Sequence, residues 1–259
     1  MKSYRFGKHA PKKDYRTLRL KKYLTPQLPA PPPSVDTLAR VYAKLGINDP
    51  GTLFPMDGND TLGDCTIAAL AHAITVNDGL VGTKKIMTRQ AVVKLYLHLT
   101  GGEDTGLDEM TVLKYWQKIA VDGEKILAFA AIDPKNHDHV KQAVQLFGGV
   151  YIGFQVQQNC VSDFDNGRPW IPGQLTTDGH AVYVVGYDEE TVTVLTWGST
   201  QKGTWDWWDE CVDESYAVLP QEAKKRDFSP GFDFAQLKKD LGAVAGSVAV
   251  ATAAEAELV

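Results

Sequence analysis

Residues 65–76 constrain the fold of this chain more than any other segment. They read CTIAALAHAITV, so small or apolar side chains occupy nearly every position around a helix. A helix that is apolar on all sides presents no face to water and is stable only when other elements surround it. Asp64 or Thr61 can cap its first turn. The sequence therefore predicts a buried central helix, and 259 residues that are 44% hydrophobic suffice to cover it.

The other periodic segments fall into two groups along the chain. Amphipathic spacing predicts helices at residues 88–99, 108–120 and 138–146, the last ended by Gly148 and Gly149. Strand-like segments follow at residues 150–156, 181–187, 191–196 and 216–219, and the middle two form a hairpin. Trp205 and Trp207 share one face if they lie on a strand. Helices first and strands afterwards predict an α+β domain.

The chain divides into three parts by composition. Residues 1–50 form a basic, proline-rich extended arm, with a short helix at 35–45, and residues 51–222 form the domain. Residues 223–259 hold a helix from Phe232 onward and an Ala-rich tail. Residues 1–23 carry nine Lys or Arg against one acid, which cannot build a core by itself. The arm is therefore either disordered or ordered on an acidic or symmetric partner.

Composition and short motifs exclude several classes of function. The net charge of −5 argues against a dedicated nucleic-acid binder. Three cysteines, Cys65, Cys160 and Cys211, do not form a disulfide framework. The sequence has no CxxC, HExxH or cofactor motif, so we expect neither a metal nor a cofactor. No signal peptide or membrane span is predicted, which indicates synthesis in the cytoplasm and no membrane partner.

Cys65 and His180 are the candidate reactive pair. Cys65 begins the predicted buried helix, and a helix N-terminus lowers the pKa of a thiol. His180 stands at the start of the strand AVYVVGY, where a side chain can reach a pocket. Each residue has a plainer interpretation, because a cysteine in an Ala-rich helix often only packs, and a histidine at a strand often has a structural role.

The order of these segments resembles the papain-like cysteine peptidases. Residues 59–65 (NDTLGDC) are similar to the family's Q-x-x-x-G-S-C stretch, and residues 179–187 (GHAVYVVGY) are close to its D-H-A-V-x-x-V-G-Y motif. Residues 195–198 (LTWG) are similar to its N-S-W-G motif. Three further segments match in order: residues 88–96, 107–123 and 139–156. The resemblance implies a papain-like α+β fold, with a helical N-terminal half around Cys65 and an antiparallel C-terminal β half.

The resemblance also implies the roles of the site residues. Cys65 would be the nucleophile and His180 its acid–base partner, and Asn59 would donate to the oxyanion in place of the family's Gln. Leu195 stands where the family has the Asn that orients the histidine, so Thr196 would substitute only if the strand shifts by one residue. The cleft would be lined or shielded by four residues: Gly63, Asp64, Gly179 and Trp197.

Two functions follow from this sequence. The first is a cysteine peptidase or amidase that acts on a peptide or protein by thiolate acyl transfer with a Cys–His dyad. The second is an inactive or weakly active papain-fold binding module, docked through residues 1–34 on a larger assembly such as a phage particle. The pattern RFGK…DYRTLRL, followed by GNDTLGDC and TWG, looks like uncharacterised proteins of actinobacterial phages and prophages, which implies association with a virion.

Overall fold

A computed structural model describes residues 3–48, 53–221 and 231–243. The helices are α1 Thr37–Leu45, α2 Cys65–Leu80, α3 Arg89–Leu99, α4 Glu109–Lys118, α5 His137–Phe147, α6 Cys160–Asp165 and α7 Trp205–Cys211, and residues 234–243 are helical as well. The strands are β1 Val35–Asp36, β2 Ile126–Ile132, β3 Val150–Gln157, β4 Leu175–Tyr187, β5 Thr191–Thr196, β6 Ser199–Thr204 and β7 Val212–Pro220. No helix of these described ranges is both long and apolar enough to cross a membrane.

The helical half is built around α2. Every residue of α2 is buried, as its composition predicts. The side chains of Thr88 and Asp108 accept hydrogen bonds from backbone N–H groups three residues on, and they cap α3 and α4. Gly79 lets α1 approach closely, because a Cβ at that position would lie 2.6 Å from Cγ1 of Val41.

The strands form one antiparallel sheet in the order β2-β7-β3-β4-β5-β6, and β1 pairs with β4. The predicted hairpin is present as β4 and β5. The short strand predicted at 216–219 is longer and lies inside the sheet, between β2 and β3. Strand β7 thus links the edge strand β2 to the rest of the sheet.

Two apolar cores lie on opposite faces of the sheet. Along β4, Tyr183 and Val185 belong to the core that contains α2, and Val182 and Val184 belong to the second core. This alternation is the period of two that every strand follows. A hydrogen bond also joins β3 to α2, since the Tyr151 hydroxyl donates to the carbonyl oxygen of Thr66 at 2.6 Å.

The arm lies on its own domain, so neither state expected for it is observed. Leu20 and Tyr23 are fully buried in the second core, and Tyr23 packs against Phe232 with ring centroids 6.0 Å apart. The composition of the arm predicted an extended segment because basic residues dominate it. Its few apolar side chains nevertheless pack against the domain and hold the arm there. The division at residue 50 stays a prediction, and the Ala-rich residues 244–259 lie outside the described ranges.

Several local predictions were wrong or incomplete. Residues 205–208 begin α7 instead of a strand, because the Thr204 side chain accepts from the backbone N–H of Trp207 and caps a helix. The sequence reading missed β2, β6 and α6. Strand β2 reads ILAFAAI, a short apolar run that by itself fits a buried helix as well as a strand.

Candidate functional site

Cys65 and His180 lie on neighbouring elements, and both side chains are about 1% exposed. Cys65 is the first residue of α2, and its thiol lies against the backbone at Ala181, the residue that follows His180. His180 lies inside β4, which extends six residues further toward the N-terminus than the strand predicted from its sequence. Helix α2 packs on β4, so the Cys65 thiol lies beside the strand that carries His180, but no hydrogen bond of the described structure joins the two side chains.

Thr196 occupies the orienting position beside His180. The Nε2 atom of His180 and the Oγ1 atom of Thr196 are hydrogen-bonded at 2.8 Å. Leu195 points into the opposite core, toward α2, and pairs with Tyr183 across β4 and β5. Alternation therefore puts Thr196 on the His180 face of the sheet, although the motif comparison had matched Leu195 to the orienting residue.

Trp197 covers the His180–Thr196 pair. Its indole stacks on the imidazole with ring centroids 4.8 Å apart and an interplanar angle of 27°. Trp197 has φ of 48° and Gly198 has φ of 76°, so the chain turns sharply after Thr196 and folds the indole back over the histidine. The indole therefore covers one face of the imidazole ring.

Burial controls the protonation of both reactive groups. It raises the pKa of the Cys65 thiol to about 11, and hydrogen bonding to the backbone of Ala181 and Gly7 lowers that value only in part. Burial also lowers the pKa of His180 to about 3. The Nδ1 atom of His180 is buried without a hydrogen-bond partner. At neutral pH the site therefore holds a neutral thiol and a neutral imidazole.

The cover that buries the site is the chain's own N-terminus, residues 4–9, here called the covering segment. The edge of Phe6 meets the His180 ring at 5.6 Å and the Trp197 ring at 5.9 Å, between centroids. Tyr4 packs on Trp197 at 4.6 Å. Gly7 crosses directly over Gly63, where a side chain on Gly7 would collide with the Gly63 backbone. The covering segment thus closes the cleft above the thiol.

Backbone hydrogen bonds hold the covering segment to both walls of the cleft. The Lys8 N–H donates to the Gly179 carbonyl oxygen at 3.1 Å on the sheet side. On the helical side, the Leu107 N–H donates to the Gly7 carbonyl oxygen at 2.8 Å. Gly63 and Gly179 both contact the covering segment.

Asn59 and Asp64 brace the loop before α2. An Asn59 Nδ2–H donates to Oδ1 of Asp64 at 2.8 Å, and the Gly58 N–H donates to Oδ2 of Asp64 at 3.0 Å. Asp64 is fully buried and does not cap α2 with its side chain. Asn59 also accepts the Arg5 N–H through its carbonyl oxygen at 2.7 Å. One amide N–H of Asn59 is thereby committed to Asp64.

Sequence reasoning missed the residues that close and charge the cleft. Phe6 and Lys8 lie in an arm without periodicity, so no local pattern marks them. Glu109 and Glu214 are buried acids whose significance depends on residues distant in sequence. No group of three or more His, Cys, Asp or Glu side chains in the described part of the chain has an arrangement that would hold a metal ion.

Asp57 makes a testable contribution to the pH dependence of stability. Burial, and secondly the charge of Asp64, raise the pKa of Asp57 to about 8. Its carboxylate oxygens have no hydrogen-bond partner, and the nearby His72, 3.6 Å away, has a pKa lowered to about 4 by burial. The folded state therefore holds a proton that the unfolded state releases above about pH 4, so stability falls as pH rises toward 8.

We expect Asp57→Asn to remove the fall in stability between about pH 4 and pH 8. The free energy of unfolding of the variant, relative to the unmodified protein, should rise by roughly 2–4 kcal/mol between pH 5 and pH 9. Asn also tolerates the positive φ of 54° at this position. Urea unfolding at the two pH values measures the difference, and Asp122→Asn, at an exposed aspartate that also has a positive φ, is the control. An equal effect of Asp57→Asn at both pH values would contradict the assignment.

Comparison with known proteins shows similarity at the level of fold. No family model and no curated protein sequence matches the chain. Xylellain, a cysteine protease from Xylella fastidiosa, has a TM-score of 0.64 at 18% identity, over 84% of this chain and 97% of that one. Procathepsin B from Trypanosoma congolense has a TM-score of 0.58 at 13% identity, over 83% of this chain and 86% of its own.

A cysteine protease from Carica candamarcensis, in complex with E-64, extends the similarity to a plant enzyme. Its TM-score is 0.51 at 15% identity, over 73% of this chain and 98% of that chain. The predicted fold class is therefore confirmed, and the chain has the α+β fold of the papain-like cysteine proteases.

Proposed function

We propose that this protein is a thiol-dependent peptidase or amidase that its own covering segment keeps latent. The observation that carries the proposal is the His180 imidazole, oriented by Thr196 at 2.8 Å and stacked under Trp197, on the strand whose next residue, Ala181, contacts the Cys65 thiol through its backbone. The Nδ1 atom of His180 has no hydrogen-bond partner in the described structure, so it is free to accept a proton. The similarity to cysteine proteases supports the same class of chemistry.

The proposed reaction begins when the covering segment leaves the cleft. Water and substrate then reach Cys65, and the N-terminus of α2 stabilises its thiolate while the Nδ1 atom of His180 takes the proton. The thiolate attacks a carbonyl carbon, and the oxyanion is stabilised by the Cys65 N–H and by the second amide N–H of Asn59. His180 protonates the leaving amine, which leaves an acyl-enzyme. Water then hydrolyses the thioester and regenerates the thiol.

The test is cleavage of a mixed peptide library, followed by mass spectrometry. The full chain and a Phe6→Ala variant, which loosens the cover, are compared. We expect faster cleavage by Phe6→Ala, loss of cleavage on adding Cys65→Ala, and retention of cleavage with the matched buried-cysteine variant Cys160→Ala. Cleavage that persists in the Cys65→Ala background, or no cleavage by a Phe6→Ala protein whose Cys65 is readily alkylated, would refute the proposal.

Thr196 is expected to act as a positioning residue. In Thr196→Val, which keeps the shape and removes the hydroxyl, kcat should fall about tenfold to a hundredfold with little change in KM, within the ~10²–10⁴ that acid–base catalysis contributes. The pH profile of kcat/KM should also shift, because the imidazolium loses its acceptor. Thr200→Val, on the adjoining strand and exposed, is the control. Equal kinetics and pH profiles for the two variants would exclude this role.

A second candidate function is the inactive binding module, and the filled cleft is the observation that favours it. Under that alternative, the exposed basic side chains of the arm dock the protein on an assembly such as a virion. Deletion of residues 1–34 would remove Leu20 and Tyr23 from the core, so substitution of exposed Lys13, Arg19 and Lys21 by glutamine is the cleaner test. Unchanged binding to the assembly after these substitutions would exclude docking through the arm.

A further inference from the structure

We infer that the pocket which holds the Lys8 side chain is the specificity pocket of this site, and that it takes a lysine or arginine side chain of a peptide ligand. The Lys8 pocket consists of Glu109, Gly153, Asp213 and Glu214. The inference rests on the proposed function, since it names the substrate class of the same cleft.

The Lys8 ammonium is buried among carboxylates. Its Nζ atom lies 2.9 Å from Oδ1 of Asp213 and 3.2 Å from Oε1 of Glu214, and the side chain is 1% exposed. Burial lowers the pKa of Lys8, but the charges of Glu214, Glu109 and Asp213 outweigh burial and raise it. Lysine is rarely buried to this extent in proteins unless it is paired.

The carboxylates outnumber the one cation that they surround. Glu109 is fully buried, and neither of its carboxylate oxygens has a hydrogen-bond partner. Glu214 accepts the Tyr216 hydroxyl at 2.9 Å through Oε2 and is 5% exposed. Carboxylates in such a low-dielectric site favour a cation over an apolar side chain of equal length. The pocket therefore selects for positive charge once Lys8 leaves it.

Gly153 gives the pocket its depth. A Cβ at position 153 would overlap the Cε atom of Lys8 and would lie 2.7 Å from Oε1 of Glu109. Any larger residue on this part of β3 would close the space that a long side chain enters. The pocket thus accepts a side chain with the reach of lysine or arginine.

The backbone contacts of the covering segment define how a peptide would lie. Besides the bonds of Lys8 to Gly179 and of Leu107 to Gly7, the His9 N–H donates to the Leu107 carbonyl oxygen at 3.0 Å. These wall groups are main-chain atoms, so they are available to any extended peptide that replaces the arm. Gly7 lies over Cys65, and Lys8 is the next residue. A ligand would accordingly place its basic residue beside the residue above the thiol.

Binding can be tested without catalysis. The protein is the full chain carrying Cys65→Ala and Lys8→Met, checked for folding by circular dichroism. Each fluorescent peptide pool carries either lysine or its neutral isostere norleucine at one position and a mixture of residues at the others. Separate pools place that residue at each position in turn. Fluorescence anisotropy measures the dissociation constants. If Lys8→Met prevents folding, Cys65→Ala with Phe6→Ala loosens the cover instead and leaves Lys8 as an internal competitor.

We expect lysine peptides to bind at least tenfold more tightly than norleucine peptides at one position. Glu214→Gln should abolish that preference, and Glu210→Gln, an exposed acid four residues earlier, should keep it. Gly153→Ala should weaken binding of the lysine peptide by obstructing the pocket. Equal binding of the two peptides, absence of binding by both, or a preference that survives Glu214→Gln would overturn the inference.

The same peptides separate this inference from the proposed function. In a protein with Cys65 restored, selective binding of lysine peptides without cleavage would refute the proposed peptidase function and leave the specificity of the Lys8 pocket supported. Cleavage by Cys65 with no preference for basic residues would refute the pocket while the peptidase stands.

Discussion

Phe6→Ala is expected to raise the rate at which iodoacetamide alkylates Cys65 at pH 7 by on the order of a hundredfold. The pKa of the covered thiol is raised to about 11 by burial, so almost no thiolate is present at neutral pH. Phe6 contributes the ring that meets both His180 and Trp197. Without it, water reaches Cys65, and the pKa falls toward or below the ordinary thiol value of ~8.5. The thiolate fraction rises accordingly.

Mass spectrometry of the alkylated peptides reports each cysteine separately. Cys160 and Cys211 are buried elsewhere and serve as internal references. Tyr15→Ala is the matched control, because Tyr15 belongs to the same arm but is 95% exposed. A Phe6→Ala rate equal to that of Tyr15→Ala would show that the covering segment does not limit access to Cys65.

Lys8→Met is expected to accelerate hydrogen exchange in the covering segment by more than a hundredfold. Loss of one partner from a buried ionic cluster costs about 3–5 kcal/mol, and each ~1.4 kcal/mol is a factor of ten in an opening equilibrium. The carboxylates of Glu109 and Glu214 lose their only close cation in the described structure. Opening of the segment restores their hydration, so the segment leaves while the domain stays folded.

Three amide hydrogens report this opening: those of Lys8, His9 and Leu107, which bond across the cleft. The central sheet should keep its protection, because its hydrogen bonds do not depend on the arm. Lys13→Met removes an exposed charge of the same arm and should leave all rates unchanged. Acceleration at all sites alike would mean global unfolding and would contradict a local role for Lys8.

The pH dependence of the Lys8→Met effect has a definite sign. Burial raises the pKa of Glu109 and of Glu214 above the usual range in the closed state. The closed state therefore binds more protons than the open state, and closure weakens as pH rises. The exchange rates of the Lys8→Met protein are first corrected for the intrinsic pH dependence of amide exchange. The equilibrium constant for opening of the covering segment should then be larger at pH 8 than at pH 5. The opposite trend would exclude the carboxylates as the cause.

Under the proposed function, the covering segment would keep the site latent until it leaves the cleft. A tethered segment competes with outside peptides at an effective concentration that reaches the millimolar range for short flexible links. Its anchors lie at two points, the rings of Tyr4 and Phe6 on Trp197 and the Lys8 ammonium in its pocket. If the Lys8 pocket takes a basic side chain, a peptide substrate would compete for the second anchor, and recognition and opening of the cleft would depend on the same carboxylates.

The sequence by itself determined those features whose signals are local. The apolar composition of residues 65–76 required a buried helix, and α2 is buried throughout. Thr88 and Asp108 precede amphipathic segments, and each caps the helix that follows. The apolar strand segments after position 180 required a hairpin, which is present as β4 and β5. Each of these elements is predicted by residues close together in the sequence. Their order along the chain is therefore also known from the sequence, and that order resembles one fold.

Only the tertiary structure decided which residues meet at the site. Strand pairing places Thr196, and not Leu195, beside His180, because a shift of one residue exchanges the two faces of a strand. Lys8 and Asp213 are 205 residues apart, so no local pattern relates them. The arm carries too few apolar residues to form a core of its own. It is ordered because the domain supplies an apolar surface for its side chains and carboxylates for Lys8. Contacts between distant segments decided whether the cleft is open or closed.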